Sequence, residues 1–139
     1  MILYPNAKIN LGLSVLIKRE DGFHNLETLF YPVEARDVLE IVESDTLQMH
    51  QYGIEYPGDP MDNLCIKAYK ALKEDFDIPP VDIHLYKKIP VGAGLGGGSA
   101  DAAFTLRGLN EMFALNLPDN KLAEYAASLG SDCAFFIYN

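Results

Sequence analysis

The sequence predicts an α+β domain of two layers, a mostly antiparallel sheet packed on helices. Three observations carry that prediction. Strand-like alternation and runs of β-branched or aromatic residues fill positions 1–52, apolar residues recur at helical spacing in 64–76, 102–113 and 119–129, and one further strand pattern occupies 81–88. With 139 residues, 49% hydrophobic and 22% charged, the chain has a globular composition and the size of one domain.

Each element has its own signal. In residues 1–17, Ala7, Ile9, Leu11, Leu13 and Val15 alternate with Lys8, Asn10, Gly12 and Ser14, which predicts a strand with one wet face. After a polar turn at 18–22, the segments 26–33, 38–43 and 47–52 read as the rest of an antiparallel N-terminal sheet. The stretch YGIEYPGDPMDN suits neither strand nor helix and reads as a loop, with Asp62 or Asn63 as cap of a helix carrying Leu64, Ala68, Leu72 and Phe76. Pro79 and Pro80 force an extended exit into the strand 81–88. A helix opening near Ser99 carries Ala102, Ala103, Leu106, Leu109 and Phe113 on one side and Asn110 and Glu111 on the other. The helix 119–129 presents Leu122, Tyr125, Ala126 and Leu129 and stops at Gly130, and the apolar run 133–138 reads as a strand.

Charge and cysteine usage narrow the function classes. A formal net charge of -9 repels a phosphate backbone, which argues against nucleic-acid binding and requires local cations for any polyphosphate ligand. Cys65 and Cys133 have no metal-ligand spacing and read as buried thiols. The apolar runs are too short to cross a bilayer and the first residues lack a signal-peptide pattern, so a cytoplasmic protein without membrane contact is expected.

The run PVGAGLGGGSADAA, residues 90–103, concentrates five glycines in seven positions, Gly92, Gly94, Gly96, Gly97 and Gly98. Glycine loses the most backbone entropy on folding, so the bare backbone must serve a purpose. A dinucleotide fingerprint fails because a turn and a second helix follow where a strand ending in an acidic residue is required. A P-loop fails because Gly98 joins Ser99 with no lysine between. What remains is a strand, a loop without side chains and a helix whose free amides point back at it, which together make an anion site. A flexible turn or a close helix–strand packing contact is the competing reading.

A polyphosphate site needs a cation near the transferred group and a base for the acceptor. Lys8, which shares a strand face with Asn10, and Asp132, just past Gly130, are the candidates. On the residues alone, a lysine on a solvated face and an aspartate in a local turn fit as well.

Four segments in this order resemble the GHMP small-molecule kinases: PNAKINLGL (5–13), KREDGFHNLET (18–28), KKIPVGAGLGGGSADAAF (87–104) and LGSDCAFF (129–136). The resemblance implies a two-layer, ribosomal-protein-like N-terminal domain over residues 1–139, with ATP and Mg²⁺ bound. It makes Lys8 the catalytic cation and Asp132 the general base. Asn63, Leu64 and Lys87 would lie near adenine, and Pro90, Gly92, Gly94, Leu95, Gly96, Gly97, Gly98, Ser99 and Ala100 around the phosphates, with Ser99 also near the metal. The first two segments imply a small-molecule substrate, a cytidyl diphosphate of methylerythritol phosphorylated on its 2-hydroxyl. Asn10 would orient the acceptor, Phe23 would stack on cytosine and His24 would bond its edge.

The sequence departs from the family pattern at Phe23, where tyrosine is usual, at Ala100, where a second serine is common, and at Cys133-Ala134, where Val-Pro is frequent. These kinases carry a further C-terminal domain that completes the cleft, so a chain holding the N-terminal domain alone is expected. It would expose core surface and favour a homodimer. A nucleotide-binding module without catalysis of its own is the alternative function. An RNA-binding domain is disfavoured by the acidic balance.

Overall fold

A computed structural model of the chain describes residues 1–18, 24–55 and 58–139. Six strands and three helices occur among them: β1 (Ile2–Leu3), β2 (Asn6–Lys18), β3 (His24–Arg36), β4 (Val38–Glu43), β5 (Gln48–Gly53), α1 (Leu64–Asp75), β6 (Val81–Lys87), α2 (Gly97–Met112) and α3 (Asp119–Leu129). Short 3-10 turns occupy Pro60–Asp62 and Cys133–Ile137. Mixed strands and helices in two layers, with mostly antiparallel pairing, agree with the predicted fold class.

The strands form two sheets, not the single N-terminal sheet expected. A four-stranded sheet has the order β1-β4-β6-β5, and β2 and β3 pair as a separate antiparallel ribbon. The break inside residues 1–17 falls at Tyr4-Pro5, because proline has no amide hydrogen for a ladder, and the Pro5 carbonyl instead accepts from Asp37 N at 2.9 Å. β5 runs parallel to β6, in register from Gln48 opposite Asp82 to Gly53 opposite Lys87. α1 lies between these two strands in sequence and carries the chain back to start β6 in the same direction, the usual way to join parallel neighbours.

The inner face of the larger sheet, with Leu39, Ile41, Ile83 and Leu85, packs on Ile66 and Leu72 of α1 and on Leu106 and Leu109 of α2. Fully burying each such side chain is worth about 1.5–3 kcal/mol relative to leaving it exposed. The run 133–138 joins this core as a 3-10 turn, not as a strand. Cys133, Phe136 and Ile137 are its buried residues, a spacing of three and four that a strand would split between two faces.

The strand is there, but burial in β2 does not follow the alternation. Lys8 and Ala7, neighbours on opposite faces, are both buried, whereas Ile9 and Leu11, on the face of Ala7, stand 36% and 46% exposed beside Tyr31 and Leu29 of β3, and Gly12 and Ser14 on the face of Lys8 are exposed as well. Period-two patterning fixes which residues share a face; the partner of that face is a tertiary matter.

Asn63 is the cap of α1, its Oδ1 accepting from Cys65 N at 2.9 Å. Asn63→Ala is therefore expected to lower unfolding free energy by about 0.5–2 kcal/mol in denaturant melts, and Asn63→Ser to recover most of the loss.

Candidate active site

β6 delivers the chain to the glycine loop and α2 leaves it. Gly92, Gly94 and Gly96 adopt φ values of +74°, +75° and +70°, a left-handed backbone that side chains disfavour. The helix opens at Gly97, not Ser99, with Gly96 as a cap that offers no side chain. Its first backbone bond is Ala100 N to Gly96 O at 2.9 Å, and the amides of Gly97, Gly98 and Ser99 find no backbone acceptor among the described residues. Three free donors at the positive end of a sixteen-residue helix face the loop.

The glycines differ in what they are needed for, position by position. Nothing lies within 4 Å of a Cβ placed on Gly92 or Gly94, so there the backbone conformation alone calls for glycine and the loop stays open outward. A Cβ on Gly96 would sit 3.0 Å from Phe136 Cζ and 3.2 Å from Lys8 Cε, and one on Gly97 would sit 2.9 Å from Ile89 Cγ2. Those two glycines let the helix start press down on its floor.

Two chambers meet at the loop. One, of 240 Å³, is lined by Leu64, Lys87, Pro90, Val91 and the glycines through Ser99, and the other, of 420 Å³, by Lys8, Asn10, Phe30 and Asp132 among others. Gly94 and Leu95 border both. A larger groove of 640 Å³, lined by Asp75, Phe76, Tyr125 and neighbours, gathers none of these groups.

In the second chamber the Lys8 ammonium donates to Asn10 Oδ1 at 2.6 Å, lies 3.2 Å from Asp132 Oδ2 and sits 4.4 Å from the Phe30 ring centre. Its side chain is 5% exposed and that of Asp132 29%, so the pair is half sheltered rather than solvated, which excludes the solvated-face reading of Lys8. Asn10 is held in turn by Thr28, whose Oγ1 accepts from Asn10 Nδ2 at 3.1 Å. Lys8 N donates to Leu95 O at 2.9 Å, tying the strand that carries the cation to the loop between the chambers.

Beneath the loop lies a buried triad. Lys87 Nζ donates to Asp37 Oδ2 and, at 2.7 Å, to Asp101 Oδ2, while Asp37 Oδ1 accepts from Ile89 N at 2.9 Å. The three side chains are at most 2% exposed. Burial pushes the Asp101 carboxyl up to about 7 against the pull of Lys87, with nearby Asp37 adding to the rise. Its Oδ1 has no hydrogen-bond partner. The triad fastens the end of β6, the start of the loop and the first turn of α2 to one another.

The structure thus brings Leu64, Lys87 and the loop residues to one chamber and Lys8, Asn10 and Asp132 to the next. Asn63 spends its side chain on capping α1, the Lys87 ammonium is engaged by two carboxylates, and Ala100 is fully buried behind the loop. Phe23 and the side chain of His24 lie outside the described residues. Cys65 and Cys133 are buried free thiols, as expected, and burial pushes both thiols up.

Sequence reading missed Asp37, Asp101, Thr28 and Phe30. Asp101 did carry a signal: it lies in line with Gly97, Thr105 and Gly108 on the buried side of α2, where an unpaired carboxylate is not tolerated.

The chain joins a glycine loop at a helix start to a sheltered lysine–aspartate pair, and residues 63–139 match the family described as GHMP kinases N terminal domain. The chain belongs to that family. It is 62% identical over its whole length to a Bacteroides fragilis protein named 4-diphosphocytidyl-2-C-methyl-D-erythritol kinase, covering 52% of that protein, and 55% identical to one of the same name from Cytophaga hutchinsonii, again covering 52%. A crystal structure of 4-(cytidine 5'-diphospho)-2C-methyl-D-erythritol kinase superposes with a TM-score of 0.82 at 38% identity, over 99% of this chain and 49% of that one. Mevalonate kinase of Methanococcus jannaschii, at 16% identity and a TM-score of 0.69, shares the fold. The chain spans about half the length of the curated relatives it matches.

Proposed function

We propose that this chain is the ATP-holding half of a kinase that moves the γ-phosphoryl group of ATP to the 2-hydroxyl of 4-diphosphocytidyl-2-C-methyl-D-erythritol. The observation that carries this reading is the pair of chambers divided by Leu95, with an anion cradle in one and Lys8 beside Asp132 in the other. Relatives 50–62% identical bear the name of that kinase, which favours an enzyme over a module that only binds nucleotide.

The free amides of Gly97, Gly98 and Ser99 fit a phosphate tail, and the Ser99 hydroxyl is the oxygen that the cradle offers to Mg²⁺. The metal would neutralise charge on the phosphates. Asp132 takes the proton from the acceptor hydroxyl as its oxygen bonds to the γ-phosphorus and the bond from that phosphorus to the β-phosphate oxygen breaks, releasing ADP. Lys8 stabilises the negative charge that spreads over the moving group, and Asn10 orients the acceptor. The other half of the relatives' length completes the cleft around the cytidyl group, with Phe23 stacking and His24 bonding the base. A cytoplasmic enzyme, with a homodimer as one form of the isolated half, belongs to the same reading.

The test is product formation by the full-length protein with ATP, Mg²⁺ and the cytidyl substrate, run beside a calorimetric ATP titration. Gly96→Val is expected to weaken ATP binding by about tenfold or more, because a side chain at φ +70° strains the loop and meets Phe136 and Lys8. Unchanged ATP affinity in that variant would move the phosphate site away from the loop.

A further inference from the structure

The outer face of the larger sheet, away from α1 and α2, carries a second cluster of chemistry-bearing side chains. His50 on β5 and His84 on β6 are direct neighbours in the parallel register, and Asp82 precedes His84 by two residues on the same face. One donor atom from each of the three lies within 4.8 Å of the others. His50 Nε2 is 3.1 Å from Asp82 Oδ1 and His84 Nε2 is 3.4 Å from Asp82 Oδ2, so the two rings share one carboxylate, an oxygen each.

We infer that His50, Asp82 and His84 form a site for a borderline transition cation, with Zn²⁺ as its representative. Two imidazoles and one carboxylate are the donor set of such ions; Mg²⁺ prefers an all-oxygen shell. Ligand atoms about 2.0–2.1 Å from a tetrahedral Zn²⁺ stand roughly 3.3 Å apart; each imidazole lies near that distance from one oxygen of Asp82, and one donor atom from each of the three residues falls within 4.8 Å of the others, so a small closing of the side chains would seat the ion.

Two independent features point the same way. Asp82 Oδ1 is shielded from solvent yet has no hydrogen-bond partner, so its approach to His50 is not an aligned hydrogen bond. The Tyr52 hydroxyl lies 3.2 Å from His84 Nδ1, on the far side of the ring from Asp82. An outer contact of this kind orients a ligating imidazole, and in the Nδ1–H tautomer of His84 it leaves the Nε2 lone pair free for a metal. The rings of His50 and His84 are stacked 4.7 Å apart at 15°, with Tyr52 stacked at 10° on His84, so both are already aligned.

The side chains are 41%, 24% and 32% exposed for His50, Asp82 and His84, leaving room for a water as fourth ligand. On β4, Glu40 stands opposite His84 and adds negative charge beside the site. The site is separate from the kinase chambers, and it would pin edge strand β5 to β6.

The experiment is a calorimetric titration of chelator-treated, tag-free protein with Zn²⁺. One equivalent is expected to bind, with binding weakened about tenfold or more in His50→Gln and Asp82→Asn. Zn²⁺ should raise the melting temperature of the parent protein and not that of the variants. Co²⁺ should give the visible bands of a tetrahedral site without a thiolate charge-transfer band, which separates this cluster from the two cysteines. His50 lies on an edge strand and is part-exposed, so His50→Gln keeps the test valid where a variant in β6 fails to fold. Saturable Zn²⁺ binding that is the same in parent, His50→Gln and Asp82→Asn, or no saturable binding by the parent, overturns the assignment.

Discussion

If Asp132 is the base proposed above, Asp132→Asn is expected to cut turnover of the full-length protein by about 10²–10⁴-fold while nucleotide affinity stays nearly constant. The split follows from which chamber the residue borders. Asp132 lines the chamber of Lys8, Asn10 and Phe30, and the chamber of the glycine loop does not include it. Asparagine keeps the shape and loses both the basic oxygen and the charge that faces Lys8 at 3.2 Å. Lys8 retains its hydrogen bond to Asn10 and its place near the Phe30 ring, so the fold should hold. Steady-state kinetics with ATP and acceptor varied separately make the measurement: kcat should fall and the KM for ATP should not move. Turnover within a few-fold of the parent would remove Asp132 from the role of base.

Lys87→Met should have the largest effect on stability. It leaves Asp37 and Asp101 facing each other in a region at most 2% exposed, and removing one partner of a buried ionic group costs about 3–5 kcal/mol. Against a total of roughly 5–15 kcal/mol for a domain, that is enough to unfold much of the population near its working temperature. A triple variant, Lys87→Met with Asp37→Asn and Asp101→Asn, should recover part of the loss, since no buried charge is then stranded. Denaturant melts of the three proteins check both statements, and a Lys87→Met protein as stable as the parent would contradict them.

The same triad sets a pH dependence. Burial raises the Asp101 carboxyl from 3.8 to about 7 in the folded protein, so folding takes up a proton between those values. Its stabilising contribution is complete below the unfolded value and is lost as pH rises through the folded one. Melts between about pH 5 and pH 8 should therefore show the parent losing ground to Asp101→Asn as pH increases.

How far the sequence could be read depended on whether a feature was local. The bounds of α3 and its stop at Gly130 were legible because period and terminator sit within one short stretch. So was the glycine loop between β6 and α2, whose composition marks it within a few residues. The separation of β2–β3 from the main sheet and the placing of β6 between β4 and β5 were not legible, because pairings between distant segments leave no mark in local periodicity. Lys8 and Asn10 were correctly placed on one face, yet the residues that make the burial of Lys8 tolerable, Asp132 and Phe30, come from far along the chain. For the run 133–138, hydrophobicity suggested a strand, while its buried residues Cys133, Phe136 and Ile137 follow a helical spacing and Phe136 packs under Gly96. Asp37 escaped notice because nothing around it in sequence reveals that Lys87 ends beside it.

The bond from Lys8 N to Leu95 O makes the ribbon and the loop a single lever. The strand that carries the Lys8 ammonium and the loop that borders both chambers share this backbone anchor, so under the proposed function grip on a phosphate tail and delivery of positive charge would be inherited together. A substitution that loosens one is bound to blur the other, and specificity for the acceptor has to be tuned from walls that neither of them touches.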